Sequence, residues 1–266
     1  MLGAIIGDIC GSAYEFDPIK TKDFDMFPRD ASVTDDSVMT AAVAEVLLSL
    51  SGDESDDEIK DMLVSSMQSW GRRYPNAGYG GRFLRWIFKR NPEPYNSYGN
   101  GSAMRVSPAG WLYDTLDETR RMARLTSVVT HDHPEGIKGA EAVASAIYLA
   151  RCGEDKSRIK EYLEQEFNYD LSRSADDIRP AYSFDVTCQG SVPESIICYL
   201  ESDGLEDTVR TAISLGGDAD TMAAIAGSIA EAEYGIEANL ADMAYAYIPD
   251  DMLEVVTAFY NRIRGE

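Results

Sequence analysis

Two acidic stretches constrain this chain more than anything else in it: Thr34-Asp35-Asp36-Ser37 near the start and Gly216-Gly217-Asp218-Ala219-Asp220-Thr221 far downstream. Each leads into an apolar run rich in small residues, 38–50 after the first and 222–232 after the second, which reads as a buried helix. Carboxylates at a helix start are favoured by the free N–H groups and the dipole. Read singly, each stretch is a capping turn, with Thr34 or Asp35 as the cap in one and Asp218 or Asp220 in the other. Read together, they offer more oxygen than two caps use, and four converging carboxylates repel one another. Few basic residues lie nearby, and buried carboxylates are seldom left unpaired. A hard cation resolves the conflict. Oxygen donors with no His or Cys beside them select Mg²⁺, Mn²⁺ or Ca²⁺ over zinc or copper. This many carboxylates suggests a two-metal site of the kind that activates water.

The pairing of Thr34-Asp35-Asp36 with the Gly216–Thr221 segment resembles the ADP-ribosylglycohydrolases, and the likeness extends over essentially the whole chain. The resemblance implies one domain over residues 1–266 with a central dinuclear metal cleft. Thr34, Asp35, Asp36, Asp218, Asp220 and Thr221 are then expected to hold two Mg²⁺ or Mn²⁺ ions. Gly11-Ser12-Ala13-Tyr14-Glu15 is similar to the family's Gly-Ser-x-x-Glu, which carries an active-site glutamate on a mobile loop. That makes Glu15 a catalytic residue beside Asp35 and Asp36.

Gly99-Asn100-Gly101-Ser102-Ala103-Met104-Arg105 resembles the family's Gly-Asn-Gly-x-x-Met-Arg, where phosphates and ribose are held. Asn100, Gly101 and Ser102 become binding residues by that likeness, with Tyr79 and Tyr98 stacking on adenine. Arg105 is read as a brace for the loop. Both histidines of the chain fall in Thr130-His131-Asp132-His133-Pro134, and the family's similar loop makes His131 a substrate contact; imidazole suits Mg²⁺ poorly. The implied reaction removes ADP-ribose from a protein or small-molecule acceptor by cleaving the bond at the anomeric ribose carbon. A di-metal phosphoesterase acting on a pyrophosphate, and a non-catalytic ADP-ribose-binding protein, are the alternatives. The chain is shorter than animal members, and Met222 stands where a branched residue is common.

Elsewhere the residues speak for themselves. Strand-like alternation is scarce, so the fold class is all-α, a compact orthogonal multi-helix domain. Residues 2–14 read as a helix with Gly3, Gly7 and Gly11 on one face, spaced for close approach of another helix. Asp8 lies in that apolar segment and is expected to bond to a neighbouring helix start rather than to a metal. Residues 57–70 read as a helix with an apolar stripe of Ile59, Met62, Leu63 and Met67. Residues 152–182 read as a polar peripheral lobe, and the last helices as ending near Gly235 and running from Met252 to Arg264.

With 24 Lys and Arg against 46 Asp and Glu, the net charge is −22, which disfavours duplex nucleic acid and anionic membranes as non-specific partners. Four scattered cysteines suit a reducing compartment. No basic leader with a long apolar core opens the sequence, and no apolar run approaches membrane-spanning length. The expectation is a soluble, cytoplasmic monomer.

Overall fold

The computed structural model describes residues 1–265. Among them the chain forms fifteen helices: α1 (Leu2–Ser12), α2 (Asp35–Ser49), α3 (Asp56–Arg73), α4 (Gly81–Ile87), α5 (Gly101–Met104), α6 (Ser107–Leu112), α7 (Leu116–Val128), α8 (Pro134–Arg151), α9 (Lys156–Phe167), α10 (Ala175–Ile178), α11 (Cys188–Glu201), α12 (Leu205–Ile213), α13 (Ala219–Tyr234), α14 (Ala238–Tyr245) and α15 (Asp250–Arg264). The only β-type pairing among the described residues is an isolated bridge between Gly99 and Thr187. The all-α expectation is met.

The fold is built on α13, which is buried from Ala219 through Glu231. Alanine, glycine and serine supply most of its length, so neighbours come close on every side. The nearest is α1. A Cβ on Gly7 would lie 2.1 Å from the Ala223 carbonyl oxygen, and one on Gly11 would lie 2.4 Å from the Asp220 Cα. The glycine face therefore packs directly on the α13 backbone, as its spacing predicts. This seam carries Asp8 and the acidic start of α13 into the same neighbourhood.

α2 contributes the other acidic start. Thr34 caps it, its hydroxyl accepting from the Asp36 N–H at 3.3 Å. Behind that cap, 36–44 are buried, which drives the acidic end inward. Ser55 and Glu58 form a reciprocal capping box that opens α3.

Three features differ from the sequence reading. α1 stops at Ser12, where the chain turns through a Tyr14 N–H to Gly11 carbonyl bond of 2.8 Å. The polar 152–182 stretch is fastened to the core, because Ile159, Leu163 and Phe167 of α9 are buried and Tyr169 and Leu171 follow them. α14 was not expected: only Leu240 and Ala244 are buried in it, too weak a stripe to read. Among the described residues no helix is long and apolar enough to cross a membrane.

Candidate active site

Asp8 organises the floor. Its Oδ2 accepts from the N–H groups of Thr34 (2.9 Å) and Ser37 (3.1 Å) and from the Ser37 hydroxyl, while its Oδ1 takes the Thr34 hydroxyl at 2.6 Å. Asp8 is thus a cap supplied to α2 from another helix, the role its sequence context suggests. With Asp8 in place, Thr34 Oγ1 lies 3.4 Å from Asp220 Oδ2, and Asp36 Oδ2 accepts from Thr221 Oγ1 at 3.2 Å. The starts of α2 and α13 therefore meet, as the two acidic stretches foretold.

The meeting is electrostatically unfavourable on its own. Burial raises the pKa values of Asp8, Asp35, Asp36 and Asp220; for the last three, neighbouring carboxylate charge raises them further. Asp218 is pushed up to about 6, mainly by burial, although a bond from Asn100 Nδ2 at 2.7 Å opposes the rise. Burial, followed by the charges of Asp220 and Asp8, takes the half-buried Glu15 to about 8. Among the described residues no Lys or Arg pairs with any of the six.

What the arrangement fits is a divalent cation. Ligand oxygens of Asp8, Asp36 and Asp220 lie within 4.8 Å of one another, and so do those of Glu15, Asp218 and Asp220. Asp220 belongs to both sets. Asp36 Oδ1 is buried without a hydrogen-bond partner, a lone acceptor of the kind a metal satisfies. All the donors are hard oxygens. Asp35 belongs to neither set; it lines the cleft opposite Gly78.

Above this floor opens a cleft of about 440 Å³. Glu15 enters its wall from the turn after α1. The 97–101 loop forms another wall and is pinned to the segment before α11 by Asn100 N–H to Val186 carbonyl and Cys188 N–H to Tyr98 carbonyl bonds, both 2.8 Å.

A third wall holds His131, buried and directed by a relay. Arg105 Nη2 donates to Thr130 Oγ1 at 2.8 Å, and Thr130 Oγ1 lies 2.7 Å from His131 Nδ1. Arginine can only donate, so Thr130 Oγ1 accepts from it, and the threonine's own hydrogen is available to Nδ1. Burial, then the charges of Arg105 and Arg82, holds the ring neutral. Nε2 faces the loop glycines; a Cβ on Gly101 would lie 3.3 Å from it. Arg105 also donates to the Thr126 carbonyl at 2.9 Å, so it braces the loop while reaching the cleft wall.

Of the expected contacts, Asn100, Gly101 and His131 line the cleft, and Tyr79, Tyr98 and Ser102 do not. Tyr79 turns into the core against Phe83, ring centroids 5.6 Å apart. Tyr98 is exposed and packs edge-on against His133. Ser102 is fully buried and donates to the Gly136 carbonyl at 2.7 Å, tying its loop to α8. The rings that do line the cleft are Phe16, Phe83, Tyr95 and Phe184, with Arg82 beside them. Phe16 and Phe184 are both well exposed with centroids 6.2 Å apart, bringing the Glu15 turn up to the loop before α11. An aromatic directly after Glu15 was the one sequence signal for this pair.

The domain is thus all-helical, with two helix starts that pool carboxylates beneath an aromatic-walled cleft. A sequence model of the ADP-ribosylglycohydrolase family matches residues 1–264, and the chain belongs to that family. It is 28% identical to ADP-ribosylhydrolase ARH3 of Bos taurus, over 89% of this chain and 84% of the bovine protein. Against ADP-ribosylhydrolase ARH3 of Homo sapiens it is 29% identical, over 89% of this chain and 85% of the human one. Among solved structures it resembles a chain described as "ADP-ribosylglycohydrolase-related protein complex", with a TM-score of 0.74 at 21% identity over 98% and 95% of the two chains. That last likeness speaks to the fold. Membership places the chain among hydrolases.

Proposed function

We propose that this protein removes ADP-ribose from a modified acceptor by hydrolysing the bond at the anomeric ribose carbon, with two Mg²⁺ or Mn²⁺ ions in the floor of the cleft. The observation that carries the reading is the pair of carboxylate sets sharing Asp220 directly below a cleft that also presents Glu15. Thr34, Asp35, Asp36, Asp218, Asp220 and Thr221 would hold the ions, with Asp8 fixing the start of α2. Bound divalent cations supply Lewis acidity toward substrate oxygens and offset the pooled negative charge.

The chain's own residues then divide the work. Glu15, on the cleft wall beside Asp218 and Asp220, is placed to pass a proton to the departing acceptor atom. Asp35 and Asp36, at the cleft floor, face the positive charge that develops on the sugar and stabilise it. His131 Nε2–H and the Gly101 N–H offer donors to phosphate or ribose oxygens. The apolar rings of Phe16, Phe83, Tyr95 and Phe184 suit a nucleobase.

One copy of the chain supplies every wall, so the working unit in this reading is the monomer. Its free cysteines, three of them buried, agree with a reducing compartment, the cytoplasm.

The test is to incubate metal-loaded protein with arginine- and serine-linked ADP-ribosyl peptides and small ADP-ribosyl compounds, with and without chelator. Chelator-sensitive release of intact ADP-ribose, lost in Asp218→Ala, is the expected outcome. AMP as the product would assign a pyrophosphate cleavage instead. Binding of ADP-ribose without turnover of any substrate would make the chain a binding protein.

A further inference from the structure

Residues 72–90 hold six of the chain's 24 cations, Arg72, Arg73, Arg82, Arg85, Lys89 and Arg90, and no acid, in a protein where acids number 46. Three are engaged within the fold: Arg73 pairs with Asp251 at 2.6 Å, Arg72 donates to the Ile87 carbonyl and to Gln68, and Arg82 donates to the Tyr95 carbonyl at 2.7 Å with its guanidinium over the Tyr95 ring. Arg82, Arg85, Lys89 and Arg90 are exposed and form no ion pair among the described residues. Like charges gathered along one short helix and its exit repel one another. In so acidic a chain, four exposed cations without an acidic partner are a feature that folding does not explain.

Their position gives them a use. Arg82, Arg85 and Lys89 line a groove of about 290 Å³ together with Tyr95, and Arg82 and Tyr95 also line the cleft. The groove is thus continuous with the cleft wall. On its far side Arg85 and Lys89 border an apolar hollow with Pro75, Leu84 and Phe88, the last two 36% and 58% exposed. Outward from the cleft the order is cleft, cations, apolar hollow. Glu93 is the single carboxylate in the groove wall and pairs with none of the cations.

The geometry points to an acceptor-recognition surface for an acidic peptide: carboxylate side chains on Arg82, Arg85 and Lys89, and an apolar side chain beyond them in the Leu84–Phe88 hollow. The surface rests on the proposed hydrolysis only in taking the cleft as the place of the modified side chain. Arg82 to Lys89 spans about 10 Å at helical rise, the length of roughly three residues of extended peptide. Arginine pairs well with carboxylates, often through two parallel bonds. A peptide is favoured over nucleic acid because Pro75 and Leu84 give the hollow an aliphatic side that suits a peptide side chain and to which a phosphate backbone brings nothing. A net charge of −22 also opposes a long polyanion while leaving a short peptide room on this one face.

The experiment uses the full chain and fluorescently labelled unmodified peptides: one with three acidic residues followed by Leu-Phe, and its Asn/Gln counterpart. A single-stranded oligonucleotide of equal charge is the third probe, with anisotropy as the readout. The acidic peptide is expected to bind about tenfold more tightly than the neutral one and to weaken with salt. Arg85→Glu/Lys89→Glu should lose that margin while keeping the wild-type melting temperature and small-substrate turnover. With an ADP-ribosylated acidic peptide, the same variant should show a raised KM at unchanged kcat. Phe88→Ser should weaken binding without altering its salt dependence. Equal binding of the neutral peptide, wild-type binding by the charge-reversed variant, or tighter binding of the oligonucleotide would overturn the proposal. If peptide binding behaves as expected but no ADP-ribosyl substrate turns over, the hydrolysis reading fails and the surface stands.

Discussion

Asn100 Nδ2 lies 2.7 Å from Asp218 Oδ2, joining the loop before α5 to the residue that starts α13 across 118 positions of sequence. An amide there holds the carboxylate in one orientation and favours its ionised form. Asn100→Asp replaces the donor with a repelling charge. Metal affinity should fall about 10- to 100-fold, as for other changes to groups that orient ligands. Calorimetric titration with Mn²⁺ checks it, and unchanged affinity would show that Asp218 is held by other means.

Asp220 belongs to both carboxylate sets, and it is buried against the repelling charges of Asp218 and Asp8 when no cation is present. Asp220→Asn should therefore stabilise the metal-free protein by about 1 kcal/mol, a rise of a few degrees in Tm for a chain of this size. The same variant should lose the further rise that metal gives the wild type. A metal-free Tm at or below the wild-type value would show that the aspartates do not strain the empty floor.

The pH dependence has a definite sign. Glu15 at about 8 and Asp218 at about 6 both lie above their ordinary carboxylate values, so the metal-free native state holds protons that the unfolded chain releases. That stabilising contribution is complete below the ordinary carboxylate range. It is lost as pH rises, first through about 6 and then through about 8. Metal-free Tm should fall over this window. Metal affinity should climb over it, because bound protons must leave first. Melting curves and titrations at stepped pH would expose a flat or opposite trend.

We predict that the relay from Arg105 through Thr130 sets the His131 tautomer by giving the threonine hydrogen to Nδ1. Thr130→Val keeps the shape and removes the hydroxyl, freeing the ring to carry its proton on Nδ1. KM for an ADP-ribosyl substrate should rise about fivefold with kcat little changed, the price of one neutral hydrogen bond. ¹⁵N chemical shifts of the His131 ring report the tautomer directly, and a ring that stays Nε2-protonated in the variant would refute the relay.

The floor of the site was legible in the sequence because its information is local. Two acidic helix starts on small-residue helices announce themselves, and the Gly3, Gly7 and Gly11 spacing predicts the close packing that brings Asp8 beside them. Asp8 itself was read correctly as a bond to a neighbouring helix start. The walls were less legible, since they depend on which way a loop side chain turns. Tyr79 sits between Gly78 and Gly80, and both directions are open to it until Phe83 draws the ring inward. Ser102 matched a motif, yet the Gly136 carbonyl claims its hydroxyl. Phe16 and Phe184 lie in polar stretches with no periodicity to give them a face, and only the folded chain brings them together.

The glycine face of α1 also sets an order of events in time. Its partner, α13, lies some 200 residues further along, so at ordinary rates of synthesis the first helix waits roughly 10 to 40 seconds for it. During that interval no cation can find the finished floor, because Asp218 and Asp220 have not been made. The floor comes into being only once the start of α13 has been made, and a product of translation that stops before it would carry Glu15, Asp35 and Asp36 without Asp218 and Asp220.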